Sequence, residues 1–565
     1  MISFKLRPAV ARPLRAISRS AANDNVSFCG FHRPGSVVNI RRIGSLPSKT
    51  SALQSPAPFV GSLDQGTSST RFVVVDQGGE IVASAQKEHK QYYPKPGWVE
   101  HDANEIWYNS AEVIEKAMDD AGLGSKDIAS IGITNQRETT VVWDKATGEP
   151  LHNAVVWNCA RTSGIVSDLQ LQLGGKDALR EKTGLPLSTY FSATKLRWLF
   201  DNVDGLRDRA EAGDVLFGTI DCWLTWKLTG GEVHATDITN AARTLLCDVG
   251  TLEWDNELLD IFGVPEAMLP SIEASIGGSF GRVQSEDCTA ISDVPIGAIL
   301  GDQHAATFGQ ACFNVGDSKS TFGTGAFIMM NTGPADEKTG RPLVSKHGLL
   351  TTPFYQKKGE PPIYALEGAV AVSGSLIQWL RDNLEIGSSA KEIAALAASV
   401  PDAKGLRFVP AFAGLFAPHW REDARGLIAG LTFYHTKAHI ARAALDAAAF
   451  QTAEVFDAME LDSGVTLTEL RVDGGMAANS EFLQFLADIV ETKVQRPKSL
   501  ETTAAGAAFA AGMSAGVWSS LEDISALWKE GAILNPKMPE PETSELKRSW
   551  GKAVDRSIGW VDKAC

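Results

Sequence analysis

One tight Gly/Thr turn between two short apolar runs occurs twice in this chain, and that repetition narrows the folds open to it. Phe59-Val-Gly-Ser-Leu63 and Arg71-Phe-Val-Val-Val75 bracket Asp64-Gln-Gly-Thr-Ser-Ser-Thr70. Apolar runs around Gly, Thr and Ser read as a β-hairpin. Thr321-Phe-Gly-Thr-Gly325, followed by Ala326-Phe-Ile-Met-Met330, echoes the arrangement. Two halves with one such hairpin each would face a shared cleft. The boundary between them is expected near residue 310, giving parts 57–310 and 311–565.

The rest of the body alternates strand and helix. Buried strands are predicted at 128–133, 153–157 and 296–300. A helix is predicted over 104–121, where Ile106, Ala111, Val113, Ile114, Ala117 and Met118 fall mostly on one face. Such mixing implies α/β layers. The Ala/Gly-rich stretches 443–450 and 504–515 are too broken for membrane spans and read as tightly packed core helices. Pro and Gly near 333–361 predict a long surface loop.

At 565 residues the chain exceeds what one core usually supports. Its net charge of −15 is unevenly placed. Residues 1–60 hold nine Lys or Arg against one acid, net +8, which leaves −23 for the remainder. An acidic body argues against nucleic acid or an anionic membrane as partner. Residues 1–56 are Arg-, Ser- and Ala-rich and nearly free of acids, the composition of an organellar transit peptide. A mitochondrial presequence is expected, with plastid and cytoplasm as alternatives; a misassigned start or a disordered tail would look similar. Seven cysteines, none in a C-x-x-C pair, read as reduced thiols of an intracellular protein.

The motifs sit at strand ends. In the first turn Gly66 lets phosphate oxygens approach, while Thr67, Ser68 and Ser69 offer donors and Arg71 a fixed charge. Asp64 beside them is placed to organise Mg²⁺, most readily through water. An ordinary β-turn has the same composition. Arg137 and Glu138 follow the strand 128–133, where ligands gather in α/β folds, and Trp157 could cover the carbons of a polyol. An exposed ion pair and a core Trp are the plain alternatives. Asp302 and Gln303 end the strand 296–300; Asp302 could take a proton from an attacking hydroxyl or simply cap a helix. Thr324 in the second turn is a donor, and Phe327 could pack on substrate carbons. In Leu470-Arg-Val-Asp-Gly-Gly475 the glycine backbone could lie against a purine. Asn479 could bond that purine or serve as a helix N-cap.

In these motifs the chain resembles the FGGY carbohydrate kinase family over about residues 58–560. Tyr190-Phe-Ser-Ala-Thr-Lys-Leu-Arg-Trp198, Gly426–Leu431 and His439–Asp446 strengthen the likeness. Pro94–Asp102 and Asn135–Thr140 are similar to the glycerol-phosphorylating branch. The resemblance implies two actin/hexokinase-like (ribonuclease H-like) α/β domains flanking an ATP/substrate cleft, ATP and Mg²⁺ as cofactors, and a homo-oligomer, dimer or tetramer. It implies a glycerol pocket of Arg137, Glu138, Trp157, Tyr190, Asp302, Gln303 and Phe327. Nucleotide contacts would come from Thr67, Ser68, Ser69, Arg71, Thr324, Gly374, Gln378, Gly475 and Asn479. Asp302 would be the general base and Asp64 the Mg²⁺ ligand. Relatives inhibited by fructose 1,6-bisphosphate carry a Gly-Gly-Lys-Gly-Gly-Thr-Arg-like loop; Ser279–Cys288 has none, so insensitivity is expected. A sister kinase for a longer polyol, or a nucleotide-binding scaffold without turnover, are the rival readings.

Overall fold

The computed structural model describes residues 58–561, so the transit-peptide expectation, Cys29 and Cys565 lie outside the described residues. Five strands build a first sheet: β1 (Phe59–Gln65), β2 (Ser69–Val75), β3 (Ile81–Glu88), β4 (Ile128–Asn135) and β5 (Ile296–Gly301). Their order is β5-β4-β1-β2-β3. The hairpin of β1 and β2 is antiparallel, with Asp64 opposite Arg71, whereas β1, β4 and β5 run parallel.

Seven strands build the second sheet: β6 (Ser318–Phe322), β7 (Ala326–Pro334), β8 (Leu350–Tyr355), β9 (Ile363–Val370), β10 (Glu469–Asp473), β11 (Lys493–Pro497) and β12 (Glu530–Leu534). Their order is β8-β9-β7-β6-β10-β11-β12. Within it, β9-β7-β6-β10-β11 repeats the first sheet: an antiparallel hairpin with a third antiparallel strand, then two parallel neighbours. The repeated Gly/Thr turn is therefore the local trace of a repeated fold.

Helix α1 (Ala103–Ala121) begins where Asp102 accepts bonds from the amides of Asn104 and Glu105, and ends at Gly122 with φ +67°. Its Ile106, Trp107, Ile114 and Met118 pack under the first sheet. Helix α2 (Asp302–Gly309) leaves β5 directly, so Asp302 is its first residue rather than its cap. The second half supplies α3 (Gly374–Asp382), α4 (Lys437–Ser463), α5 (Ser480–Val490) and α6 (Thr502–Ser514). Both Ala/Gly-rich stretches are core helices, as their composition predicts. Small residues there serve close approach: a Cβ on Gly506 of α6 would lie 1.9 Å from the Ala305 carbonyl of α2. Helix α6, late in the chain, thus packs on the first sheet, and its Ala507, Ala508 and Ala511 share a core with Val60, Val73 and Leu300.

Two local expectations differ from the structure. The stretch 333–361 is not all loop: β8 lies inside it with all six residues buried. Pro353 falls at a register shift of this edge strand, where a proline can sit without breaking the ladder. Conversely, 153–157 contributes only the two-residue strand Ala154–Val155, paired with Glu100–His101. Its apolar side chains are buried by packing rather than by a sheet.

Candidate active site

Parallel β1, β4 and β5 end at the same edge, which gathers Asp64, Arg137 and Asp302. The connection after β4 is forced: Glu138 adopts φ +61°, a backbone state costly for a residue with a Cβ. That turn aims Arg137 and Glu138 into the protein, where both are buried.

Neither forms the exposed pair weighed above. Arg137 donates Nη1 and Nη2 to Glu367 of β9 at 2.5 and 2.9 Å, and its Nε meets Asp302 Oδ1 at 3.1 Å. Arg243 donates Nε to Glu138 Oε1 at 2.6 Å and approaches Glu367 at 3.4 Å. Burial alone would raise the Glu367 carboxyl, but the two guanidiniums hold it far below its usual range. Burial wins at Glu138, whose carboxyl is raised despite Arg243 and Arg137.

Around this network stands an aromatic wall. The Trp157 ring lies 5.4 Å from Tyr190 and 6.2 Å from Phe327, both edge-on, and the Arg137 guanidinium is 6.0 Å from the Phe327 ring. Trp157 is fixed by its Nε1–H bond to Thr67 Oγ1, 3.0 Å. Tyr190 is fixed from behind: buried Lys195 donates to the carbonyls of Thr189, Tyr190 and Phe191 at 2.7, 2.6 and 3.3 Å. The structure thus brings Arg137, Trp157, Tyr190, Phe327 and Asp302 together. The Asp302 carboxylate is partly open and accepts from the Gln303 amide at 2.7 Å. Gln303 is also buried, its Oε1 accepting from Lys319 Nζ at 2.6 Å. Glu138 is as buried as Arg137 and is held by Arg243.

Asp64 is half-buried, and its carboxyl is pushed up to about 6 by burial, against Arg71 and with a further contribution from Asp302. Two acids converging at a cleft edge suit a hard divalent cation. Among the described residues no group of three or more potential ligands could hold a metal unaided. A magnesium ion, which keeps waters and shares phosphate oxygens, fits Asp64 on that donor set.

Thr324, Gly374, Gln378, Gly475 and Asn479 line one cavity of about 660 Å³, with Ile377, Ala394, Leu445 and Phe482 as its apolar walls. Backbone comes very close here: a Cβ on Gly374 would sit 2.4 Å from the Gly323 carbonyl. Asn479 is an N-cap, its Oδ1 accepting from the amides of Glu481 and Phe482 at 3.0 and 3.2 Å. Only its NH₂ remains for a base. Thr67, Ser68, Ser69 and Arg71 are not on this cavity; they belong to the turn between β1 and β2 and the start of β2. There Gln86 holds Ser69 Oγ at 2.9 Å, and Arg71 reaches Gln86 at 2.7 Å and Glu501 of the second half.

Sequence reasoning missed Glu367, Arg243 and Lys319. The first and last had a signal: each is a lone charge inside an otherwise buried strand, which is costly unless paired.

Two like-folded sheets, each carrying a Gly/Thr turn, with a carboxylate beside an aromatic cluster and a separate cavity of about 660 Å³ lined by the second turn, define a small-molecule kinase. The profile of the FGGY family of carbohydrate kinases matches as its N-terminal domain over residues 59–309 and as its C-terminal domain over 319–515. The chain belongs to that family. It is 54% identical over 508 residues to a glycerol kinase of Pseudarthrobacter chlorophenolicus, and 54% over 507 residues to one of Brucella anthropi. Each alignment covers 89% of this chain and 99% of the relative. The crystal structure of Plasmodium falciparum glycerol kinase with ADP superposes with a TM-score of 0.81 at 38% identity, covering 90% of this chain and 99% of that one. A xylulose kinase from Lactobacillus acidophilus, 23% identical with a TM-score of 0.75, shares the fold.

Proposed function

We propose that this chain transfers the γ-phosphate of ATP to a terminal hydroxyl of glycerol, giving sn-glycerol 3-phosphate. The observation that carries the reading is the aromatic cluster of Trp157, Tyr190 and Phe327 beside the Asp302–Arg137 pair. Its walls suit a three-carbon polyol and would crowd a pentose. The names of the similar proteins support the same choice.

In this mechanism Asp302 accepts the proton of the attacking hydroxyl as that oxygen approaches phosphorus in line. Arg137 is held by Glu367 and steadies Asp302 through Nε. The purine lies in the cavity lined by Gln378, Gly475 and Asn479. The turns at Thr67–Ser69 and Gly323–Gly325 supply donors to the phosphates. Mg²⁺ held by Asp64, with phosphate oxygens, would supply charge neutralisation at the transferred group. Assembly as a homo-oligomer and insensitivity to fructose 1,6-bisphosphate belong to the same proposal. Residues 1–56 are proposed as an organellar targeting segment, supported by their +8 charge, and the N-terminus of the mature protein tests this.

ADP release measured with glycerol, xylulose, gluconate and no acceptor tests the activity. Release with glycerol alone is expected. Release only with a longer polyol transfers the chain to a sister kinase, and nucleotide binding without any release favours the scaffold. Asp302→Asn should lose at least ~100-fold in kcat while still binding ATP.

A further inference from the structure

Lys319 lies on β6 between the two halves of the site, and its side chain is fully buried. Its ammonium donates to Gln303 Oε1 at 2.6 Å and to Thr321 Oγ1 at 3.1 Å. The charged groups facing it are Asp473, Asp302, Glu367 and Arg137. Burial lowers the amine to about 8, against the three acids, so at neutral pH it is mainly the cation.

A lysine ammonium has donors and no acceptor. The Gln303 atom 2.6 Å from it is therefore the amide oxygen, and the amide cannot flip without setting NH₂ against NH₃⁺. The same logic holds Thr321, whose hydroxyl accepts from Lys319 and must point its own proton elsewhere. Gln303 Nε2 finds no protein acceptor among the described residues, and it is not among the buried polar atoms left unpartnered. That amide nitrogen is the group's free face, one residue from Asp302.

We propose that Lys319 is a positioning residue that locks the Gln303 amide with its NH₂ toward the polyol, so that Gln303 acts there only as a donor to a substrate hydroxyl oxygen. Resting on the kinase reading above, this makes acceptor groups on the substrate a requirement at that point. A protonated amine in place of the hydroxyl has no lone pair to offer and would be refused.

The test is a double-mutant cycle on the full chain, using whichever polyol the wild type phosphorylates, with Lys319→Met, Gln303→Ala and the pair. Lys319→Met should raise the polyol KM about tenfold or more with a much smaller change in kcat and unchanged ATP affinity. In the Gln303→Ala background the same change should add less than about twofold. Lys319→Arg, which keeps a donor to Gln303, should recover most of the loss and guards against a folding defect in the methionine variant. A polyol KM within about twofold of wild type in Lys319→Met overturns the proposal. So does a full effect that persists without Gln303, which would make Lys319 a structural residue only. A wild type that turns over xylulose but not glycerol overturns the substrate reading alone, since the cycle is then scored on xylulose.

Discussion

Asp64 carries a stability cost that its proposed role at the cation would explain. Its folded-state pKa is raised from 3.8 to about 6, so the folded protein binds a proton more tightly than the unfolded chain between those values. Stability from that proton is complete below about pH 4 and lost as pH rises through 6, leaving an ionised acid in a poorly solvated place. Asp64→Asn should therefore stabilise the protein at pH 7–8 by on the order of 1–3 kcal/mol, seen as a higher melting temperature, and give no gain near pH 4. In the wild type, turnover should fall as pH drops below about 6 and the acid proposed to hold the cation is neutralised. Thermal melts and initial rates across pH 4–8 check both signs. Gly475 is the complementary case. No atom lies within 4 Å of the Cβ it lacks, and it lines the large cavity. Gly475→Val should leave the melting temperature nearly unchanged while raising the KM for ATP about tenfold or more, since the new methyls enter the space proposed for the purine.

At the scale of elements, the strand-end motifs were readable because turn chemistry and apolar runs are local signals. Asp64, Asp302, Phe327 and the glycines could be placed from their neighbours in the chain. The partners of Arg137 could not, because Glu367 is 230 residues away and joins it only when β9 meets the end of β4. Asn479 shows a second limit: capping and base recognition ask for the same residue type, and only geometry reveals that its oxygen is committed to α5. The Pro/Gly-based loop at 333–361 failed for a third reason. Proline at a register shift on an edge strand looks like a loop residue in one dimension. Helix α6 was legible as core but not as packing on the sheet of the other half. Gly506→Ala tests that packing. The added methyl collides with the backbone of Ala305, so α2 and α6 must separate, at a cost of ~3 kcal/mol or more. Urea denaturation should show a lower midpoint, and because α2 begins with Asp302, kcat should fall too.

For the molecule as a whole, the two halves meet in a buried ion network rather than only in apolar packing. Arg137, Glu138 and Arg243 come from the first half and Glu367 from the second. Removing one partner of such a set leaves uncompensated buried charge, which typically costs ~3–5 kcal/mol. Glu367→Ala should lower stability by that amount in equilibrium unfolding and raise the polyol KM. The exposed Lys529–Glu80 pair, which also joins residues far apart, should contribute less than about 1 kcal/mol when Glu80 is replaced by Gln.

Those four buried charges sum to zero, and each is tied by directional bonds. If Asp302 takes the proton as proposed, nothing around it needs to turn over as bulk water would. The orientation cost that a solvent incurs during the reaction has been met once, when the chain folded, and a strained backbone at Glu138 is part of what it took.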